Sequence, residues 1–311
     1  LLVEVLGSLT WHLTPQSEEA IRLASEFEGT LGGLVKTPSD GVPPIGKLQG
    51  ASRFQMYGRG EGEVKPIHRV EEWPASRGRV FREAPMLQQR VRTGALPPVE
   101  ERVPENPLVM VPPHQIGPYG GDWKRYGTGP RDLSIIRTRL AYEGTLRWDA
   151  LGEEVIPNLI SRWEISEGGR VYTFWFRKGV KWSDGHPFTA DDVLFWYEHI
   201  LNNKELTPVI PRDFRRGGET VQVEKLDDYT VRFGYERPNG LLIQAMASGR
   251  GYEVADYPAH YLKQFHADFV SKEELEQKAR ESGFDLWTQL FLDKWDWRNV
   301  DCPRLWPWVT V

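Results

Sequence analysis

The stretch FRKGVKWSDGHPFTADDVLFWYEHIL, residues 176–201, has the most detailed local pattern in this sequence. Asp184, His186, Asp191 and Asp192 lie within nine positions of one another in it. Such a cluster is compatible with catalytic or metal-binding chemistry, and it is equally compatible with a capped helix start. The neighbouring residues distinguish between these interpretations.

The residues around Thr189 favour a helix cap. With Thr189 as N-cap, its hydroxyl can accept from the backbone amide of Asp192, and the Asp192 carboxylate can accept from the Thr189 amide, which makes a capping box. Asp191 and Asp192 also lie at the positive end of the helix dipole. Phe188 and Val193 have the spacing of a hydrophobic staple. An apolar stripe is then predicted at Val193, Trp196, Tyr197 and Ile200. We therefore interpret the stretch as a folding device, with each cap contributing about 1 kcal/mol.

A metal site would need ligands that converge from several elements, and the sequence has no HxxxH, HExxH or Asp-rich calcium loop. His260 and His266 lie near a predicted helix without an evident third ligand, so both are interpreted as core or surface histidines. We expect no metal, no cofactor and no catalytic residues.

The composition excludes several classes of protein. The 311 residues carry a formal net charge of -5 with no basic block, which argues against nucleic-acid binding. No apolar run approaches the roughly 18 residues of a membrane span. The single cysteine, Cys302, excludes an internal disulfide and a multi-thiolate metal site. The 13 Trp, 11 Tyr and 13 Phe are mostly expected in the core, although such rings also bind sugars and peptides.

Two strands are predicted from alternation. Tyr172, Phe174 and Phe176 share one face of residues 171–176, and Val231, Phe233 and Tyr235 repeat this pattern after an Asp-Asp turn. Further elements are predicted as a short helix near 84–91, a buried strand at 108–111, a helix capped by Ser271 and ended by Gly283, and a helix within 285–297.

Residues 158–201 and the later DDYTVRF, residues 227–233, closely resemble the signature of bacterial extracellular solute-binding proteins of family 5. These are the oligopeptide-, dipeptide- and nickel-binding receptors of ABC importers. The resemblance covers about residues 82–311. Upstream, EAPMLQQRVRTGALPPVEERVPENPLV and IGPYGGDW resemble a large-bodied branch that includes receptors thought to take oligosaccharides.

This resemblance implies an α/β fold of the periplasmic-binding-protein-like type, class II, in its large three-domain form. Residues 106–149 with 246–311 would then be lobe I, and residues 150–245 an inserted subdomain that carries the signature. Residues 1–80 match no part of it and are expected to be an extension or partly disordered. The sequence ends near the point where family members enter the opposite lobe, so we expect lobe I and the subdomain without that lobe.

The resemblance also suggests ligand contacts. Glu143, after Tyr142, corresponds to a cleft-facing glutamate that could pair with a peptide amino terminus or accept from sugar hydroxyls. The alternatives for Glu143 are a solvated turn residue and a hydrogen bond inside the lobe. Tyr119 precedes a glycine turn that could approach a ligand or be a plain turn. Independently of the resemblance, Arg250 and Tyr252 lie on a glycine-interrupted loop after an apolar run, which is typical of a strand end that faces a cleft.

The favoured function is a monomeric periplasmic or extracellular receptor that binds an oligopeptide or oligosaccharide and delivers it to an ABC permease. No signal peptide is visible at the first residues. The alternatives are a non-catalytic structural or chaperone-like surface protein and a glycoside or peptide hydrolase. A hydrolase would need an activated nucleophile or paired carboxylates. The sequence lacks a GxSxG elbow, and Glu153 and Glu154 are adjacent, so they do not form such a pair.

Overall fold

The computed structural model describes residues 68–121 and 143–306. The chain divides into two units, Leu1–Lys65 and Pro66–Val311, and the described residues belong to the second. The predicted boundary at residue 80 stays a prediction, and strand Arg69–Glu72, which precedes residue 80, pairs with Leu108–Val111 inside the second unit. That pairing was missed because it joins segments far apart in sequence.

Antiparallel pairs make up the β-structure of the described residues. The strands are β1 Arg69–Glu72, β2 Leu108–Val111, β3 Leu146–Trp148, β4 Val155–Pro157, β5 Ile160–Ser166, β6 Val171–Phe176, β7 Arg215–Arg216, β8 Glu219–Thr220, β9 Gln222–Asp227 and β10 Thr230–Gly234. Strand β2 was predicted as buried, but it is half-buried and Met110 is exposed, since it pairs in a two-stranded sheet.

The largest sheet of the described residues has four strands in the order β5-β6-β10-β9. Its inner face carries Tyr172, Phe174 and Phe176, all buried as the alternation predicts. Phe174 lies opposite Val231, and Tyr172 lies opposite Phe233, so the two predicted patterns face one core. Each fully buried ring of this kind contributes about 1.5–3 kcal/mol.

The described residues also form short α-helices. They are α1 Gln88–Arg92, α2 Val99–Arg102, α3 Ala190–Phe195, α4 Leu242–Met246, α5 Gly249–Val254, α6 Ala259–Leu262, α7 Lys272–Glu281 and α8 Trp287–Trp295. The predicted helices near residue 84, after Ser271 and within 285–297 are thereby confirmed. No helix within 68–121 or 143–306 combines the length and apolar character needed to cross a membrane.

Helix α3 begins with the predicted cap. The Thr189 amide donates to Asp192 Oδ2 at 3.0 Å, and the Thr189 hydroxyl accepts from the backbone, which completes a capping box. Phe188 and Val193 are fully buried. The chain then changes to a π-helix over Trp196–Leu201, which the 3.6-residue pattern does not predict.

Two polar side chains join elements that are far apart in sequence. Asp192 Oδ1 accepts from the backbone amide of Ala259 at 3.0 Å, so the cap of α3 also holds the start of α6. Arg177 is 5% exposed and donates to both carboxylate oxygens of Glu72, at 2.7 and 2.8 Å. This bidentate pair holds β1 against the end of β6.

Candidate functional site

The candidate site is the edge where the segment 143–148 meets α4 and α5. The Thr145 hydroxyl donates to the Met246 carbonyl at 3.1 Å, and Trp148 Nε1 lies 3.5 Å from Ser248 Oγ. These contacts bring the segment that carries Glu143 against the segment that carries the other candidates, about a hundred residues later. Such a contact is what the expected division of lobe I requires.

Gly251 allows the two segments to approach closely. A Cβ at this position would lie 1.7 Å from the Met246 carbonyl oxygen and 2.8 Å from Thr145 Oγ1. No real side chain tolerates such a distance from backbone, so glycine is required here by packing. The glycine-interrupted sequence thus serves the junction between α4, α5 and the strand that begins at Leu146.

Glu143 is hydrogen-bonded inside this edge. Its Oε1 accepts from Arg147 Nη2 at 3.0 Å and from the side-chain amide of Asn158. The Glu143 side chain is 20% exposed, so it is neither a freely solvated turn residue nor a core residue. Asn158 is buried and also donates to the Gly144 carbonyl, which fixes the amide against the segment. The alternative of a hydrogen bond inside the lobe is therefore observed, and a ligand contact for Glu143 stays a prediction.

Arg250 takes part in a charge network on the same edge. Its Nε lies 3.2 Å from Asp213 Oδ2, and its Nη1 lies 2.7 Å from Glu253 Oε1. Burial disfavours the charged guanidinium, but Glu253 and Asp213 outweigh that effect and raise the pKa of Arg250. Tyr252 is half-buried two residues further along α5. Arg250 and Tyr252 thus lie on an element that packs on the Glu143 segment.

The other two predicted contacts differ in position. Tyr119 is about half exposed, and the adjacent Gly120 has a φ of 61° and packs on Met86. Its turn therefore contacts the residues before α1. Tyr142 lies outside the described residues. A ligand role for either tyrosine stays a prediction.

Sequence reasoning missed three residues of this edge. Trp148 is 36% exposed, Ser248 lies beside its indole nitrogen, and Asn158 supports Glu143. The sequence gives little indication that Trp148 belongs to this edge, because a half-exposed tryptophan differs from a core tryptophan only in its tertiary surroundings.

The acidic cluster of residues 184–192 has structural partners. Asp184 Oδ2 lies 2.7 Å from His260 Nε2, and the His186 ring stacks on His260 with centroids 4.0 Å apart. Asp191 pairs with Lys225 at 2.8 Å. Burial raises the pKa of Asp192, although its three hydrogen-bond donors partly oppose this effect. The interpretation of this stretch as a folding device is consistent with these contacts.

Comparison with known proteins identifies relatives of this chain. Residues 154–285 match the model of the family described as bacterial extracellular solute-binding proteins, family 5 Middle. The periplasmic alpha-galactoside-binding protein of Rhizobium meliloti is 31% identical over 214 residues, which are 62% of this chain and 30% of that protein. The di/tripeptide-binding protein 1 of Pseudomonas aeruginosa is 30% identical over 169 residues, 50% of this chain and 31% of that protein.

Two solved structures share the fold. The oligopeptide-binding protein OppA is 42% identical with a TM-score of 0.69, over 76% of this chain and 37% of that one. The periplasmic binding protein MelB of Agrobacterium fabrum, solved in complex with stachyose, is 26% identical with a TM-score of 0.56, over 81% of this chain and 38% of that one. The fold is therefore the α/β fold of periplasmic binding proteins, and the chain spans about a third of the length of these relatives.

Proposed function

We propose, from the match of residues 154–285 to the model of the bacterial extracellular solute-binding proteins of family 5, that this chain is part of an ABC-importer receptor. The receptor captures an oligopeptide or an oligosaccharide in a cleft and delivers it to a membrane permease. The observation that carries this proposal is the structural likeness to two solute-binding proteins over three quarters or more of the chain. Hinge closure of two lobes around the solute would be the mechanism.

The chemistry of the described residues supports binding over catalysis. Asp184 and Asp192, the acidic groups most suggestive of chemistry, accept hydrogen bonds from backbone amides and from His260 or Trp182. A general acid or base must reach a substrate proton, and Asp192 is only 5% exposed and accepts from three donors of the fold. We therefore propose a receptor without enzymatic activity.

The edge of residues 143–148 and 247–254 is the proposed ligand-facing part. Among the described contacts, Glu143 uses Oε1 for Arg147 and Asn158, so Oε2 is available to accept from a ligand amine or hydroxyl. Trp148 offers a half-exposed indole for stacking on a sugar ring or an apolar peptide side chain. Arg250 and Tyr252 would contribute polar contacts from the facing helix.

The relatives suggest two solute classes to test. One sequence relative is named for α-galactosides, and one solved neighbour holds stachyose, an oligosaccharide. The other relative and the other neighbour are named for peptides. Both classes combine hydroxyl or amine donors with apolar surface, which is what Glu143 and Trp148 would recognise.

Thermal-shift titration of the full-length protein is the experiment that tests this function. Stachyose and defined tri- and tetrapeptides would be titrated separately, with turnover of each followed by chromatography over hours. Ligand that binds only the native state raises stability by about 2.7 kcal/mol at 100 times Kd, so a saturable rise in Tm identifies the class. Recovery of intact ligand would support a receptor. Cleaved ligand would favour the hydrolase alternative, and the absence of any shift in a folded protein would contradict capture of either class.

A further inference from the structure

Three side chains of metal-binding chemistry meet beside the π-helical turn. His199 lies on Trp196–Leu201, and His266 and Asp268 follow the short helix Lys263–Phe265. His199 Nδ1 lies 2.6 Å from Asp268 Oδ2, and His266 Nδ1 lies 3.7 Å from the same oxygen. Within residues 68–121 and 143–306, one ligand atom from each of the three lies within 4.8 Å of the others.

The hydrogen bonds of His266 assign its tautomer. Nε2 lies 2.9 Å from the His199 carbonyl oxygen, which can only accept, so Nε2 carries the proton. Asn203 Nδ2, at 3.4 Å from Nε2, is a weaker contact. Nδ1 accepts from the Asp268 amide at 3.1 Å and is therefore the lone-pair nitrogen that faces the carboxylate. A ring N–H that donates to a backbone carbonyl is the usual support of a metal-ligating histidine.

The surroundings of the three residues also suit an ion. His266 is fully buried, with the rings of Phe195, Phe269, Trp287 and Phe291 between 5.2 and 6.1 Å from its own. Asp268 is about half exposed, so an ion and a water ligand can reach the carboxylate from solvent.

We propose that His199, His266 and Asp268 bind a divalent transition-metal ion of the Zn²⁺ class, outside the solute-binding edge. Two imidazole nitrogens and one carboxylate oxygen, with water as fourth ligand, form a donor set that Zn²⁺ accepts. The ion would link the π-helical turn to the loop that precedes α7.

Binding requires a small rearrangement. Tetrahedral ligands about 2.0–2.1 Å from Zn²⁺ lie roughly 3.3 Å apart. The His199 to Asp268 distance of 2.6 Å must therefore open, and the His266 to Asp268 distance of 3.7 Å must shorten. The ion replaces the proton that His199 and Asp268 share, and the Asp268 amide moves away from His266 Nδ1. The carboxylate can make this movement because it lies in an exposed loop.

The chain provides a matched control. His260 and Asp184 form a pair at 2.7 Å, with His186 stacked on His260, so the same residue types lie together there. Among the described residues, His199, His266 and Asp268 bring three ligand atoms within 4.8 Å of one another. The trio of Asp184, His186 and His260 does not. The alternative for His266 is a satisfied core histidine, and the control separates this alternative from a metal ligand.

The test is a Zn²⁺ titration of tag-free, full-length protein dialysed against a chelator. Calorimetry would measure stoichiometry and affinity, and the visible absorption of Co²⁺ would report tetrahedral coordination. The variants are Asp268→Asn and His199→Gln, whose side chains are partly exposed, and the controls are Asp184→Asn and His260→Gln. Circular dichroism would verify that all four variants are folded.

We expect one ion per chain, a loss of affinity of at least tenfold in both test variants, and wild-type affinity in both controls. Co²⁺ is expected to quench part of the tryptophan fluorescence of the wild type, since the Trp287 ring centroid lies 5.2 Å from that of His266. Absence of a saturable site at micromolar Zn²⁺, or equal losses in test and control variants, would overturn the proposal. Neither outcome depends on solute binding, so this test and that of the proposed function fail independently.

Discussion

The turn at residues 182–193 and the edge at residues 143–148 and 247–254 each hold a hydrogen-bonded carboxylate, and the two carboxylates differ in their hydrogen-bond donors. Asp192 is 5% exposed and accepts from the amides of Thr189 and Ala259 and from an indole. Glu143 is 20% exposed and accepts from two side chains. Backbone donors are fixed by the fold, whereas side-chain donors can rearrange. The turn is therefore part of the scaffold, whereas a ligand-binding role for the edge stays a proposal.

The largest loss of stability is expected for Asp192→Ala. This change leaves the amides of Thr189 and Ala259 and the indole N–H of Trp182 without their acceptor. We expect about 2–4 kcal/mol of lost stability, since cap loss and unsatisfied buried donors each cost about 1–3 kcal/mol. Urea unfolding would measure it.

Asp191→Ala is the matched control for that measurement. Asp191 is the neighbouring carboxylate, but it is largely exposed and pairs with Lys225 at 2.8 Å. Exposed ion pairs contribute about 0.2–1 kcal/mol. Equal losses for the two variants would contradict the distinction between a buried cap and a surface charge.

The contrast between Asp192 and Glu143 also shows which parts of the fold can be predicted from sequence. The capping box lies within four consecutive residues, so its pattern is visible without the fold. The alternating face of residues 171–176 is predictable for the same reason. The bond from Asp192 to Ala259 joins residues 67 positions apart, and the pair of Arg177 with Glu72 spans 105. No local pattern encodes such contacts.

The candidate site could be predicted only in outline. Glu143 was found through the resemblance to a family, and Arg250 through its glycine-interrupted loop. Neither observation shows that Asn158 holds Glu143 or that Asp213 and Glu253 hold Arg250. The cluster of His199, His266 and Asp268 was missed because His199 lies 67 positions before His266. In the sequence, His260 and His266 near a predicted helix gave no sign that His199 and Asp268 lie beside His266.

The variant Arg177→Met tests whether Arg177 stabilises the fold by holding strand Arg69–Glu72. Arg177 is buried, and its loss would leave the Glu72 carboxylate without its bidentate partner. Breaking a buried pair costs about 3–5 kcal/mol, but Glu72 is 40% exposed, so we expect about 2 kcal/mol. Hydrogen exchange would also increase selectively in Arg69–Glu72. Unchanged protection of that strand would show that Arg177 does not hold it.

A smaller effect on stability is expected for Glu143→Ala. Asn158 keeps its bond to the Gly144 carbonyl, and Arg147 is partly exposed and can be solvated. We expect a loss of about 1 kcal/mol or less by urea unfolding. A loss as large as that of Asp192→Ala would assign Glu143 to the scaffold and remove the contrast between the two regions.

The last expectation concerns the reactivity of the Cys302 thiol, which should be very low in the folded protein. This thiol is buried, and burial raises its pKa to about 12. Because the thiolate is the reactive form, a disulfide reagent at pH 8 should label Cys302 rapidly in urea and very slowly in buffer. Comparable rates in both conditions would show that the segment beside Arg304 opens readily, although Arg304 and Ser183 are joined through the backbone.

The affinity of Glu143→Gln for the identified solute tests the central claim most directly. The matched control is Glu224→Gln, which removes a charge from a similar pair, Arg232 with Glu224 at 3.1 Å, in the expected inserted subdomain. Calorimetric titration of the full-length proteins is expected to give a loss of about tenfold or more for Glu143→Gln, corresponding to about 1.4 kcal/mol. Glu224→Gln is expected to bind as the wild type does. Equal affinity in both variants and the wild type would contradict a ligand-binding role for this edge.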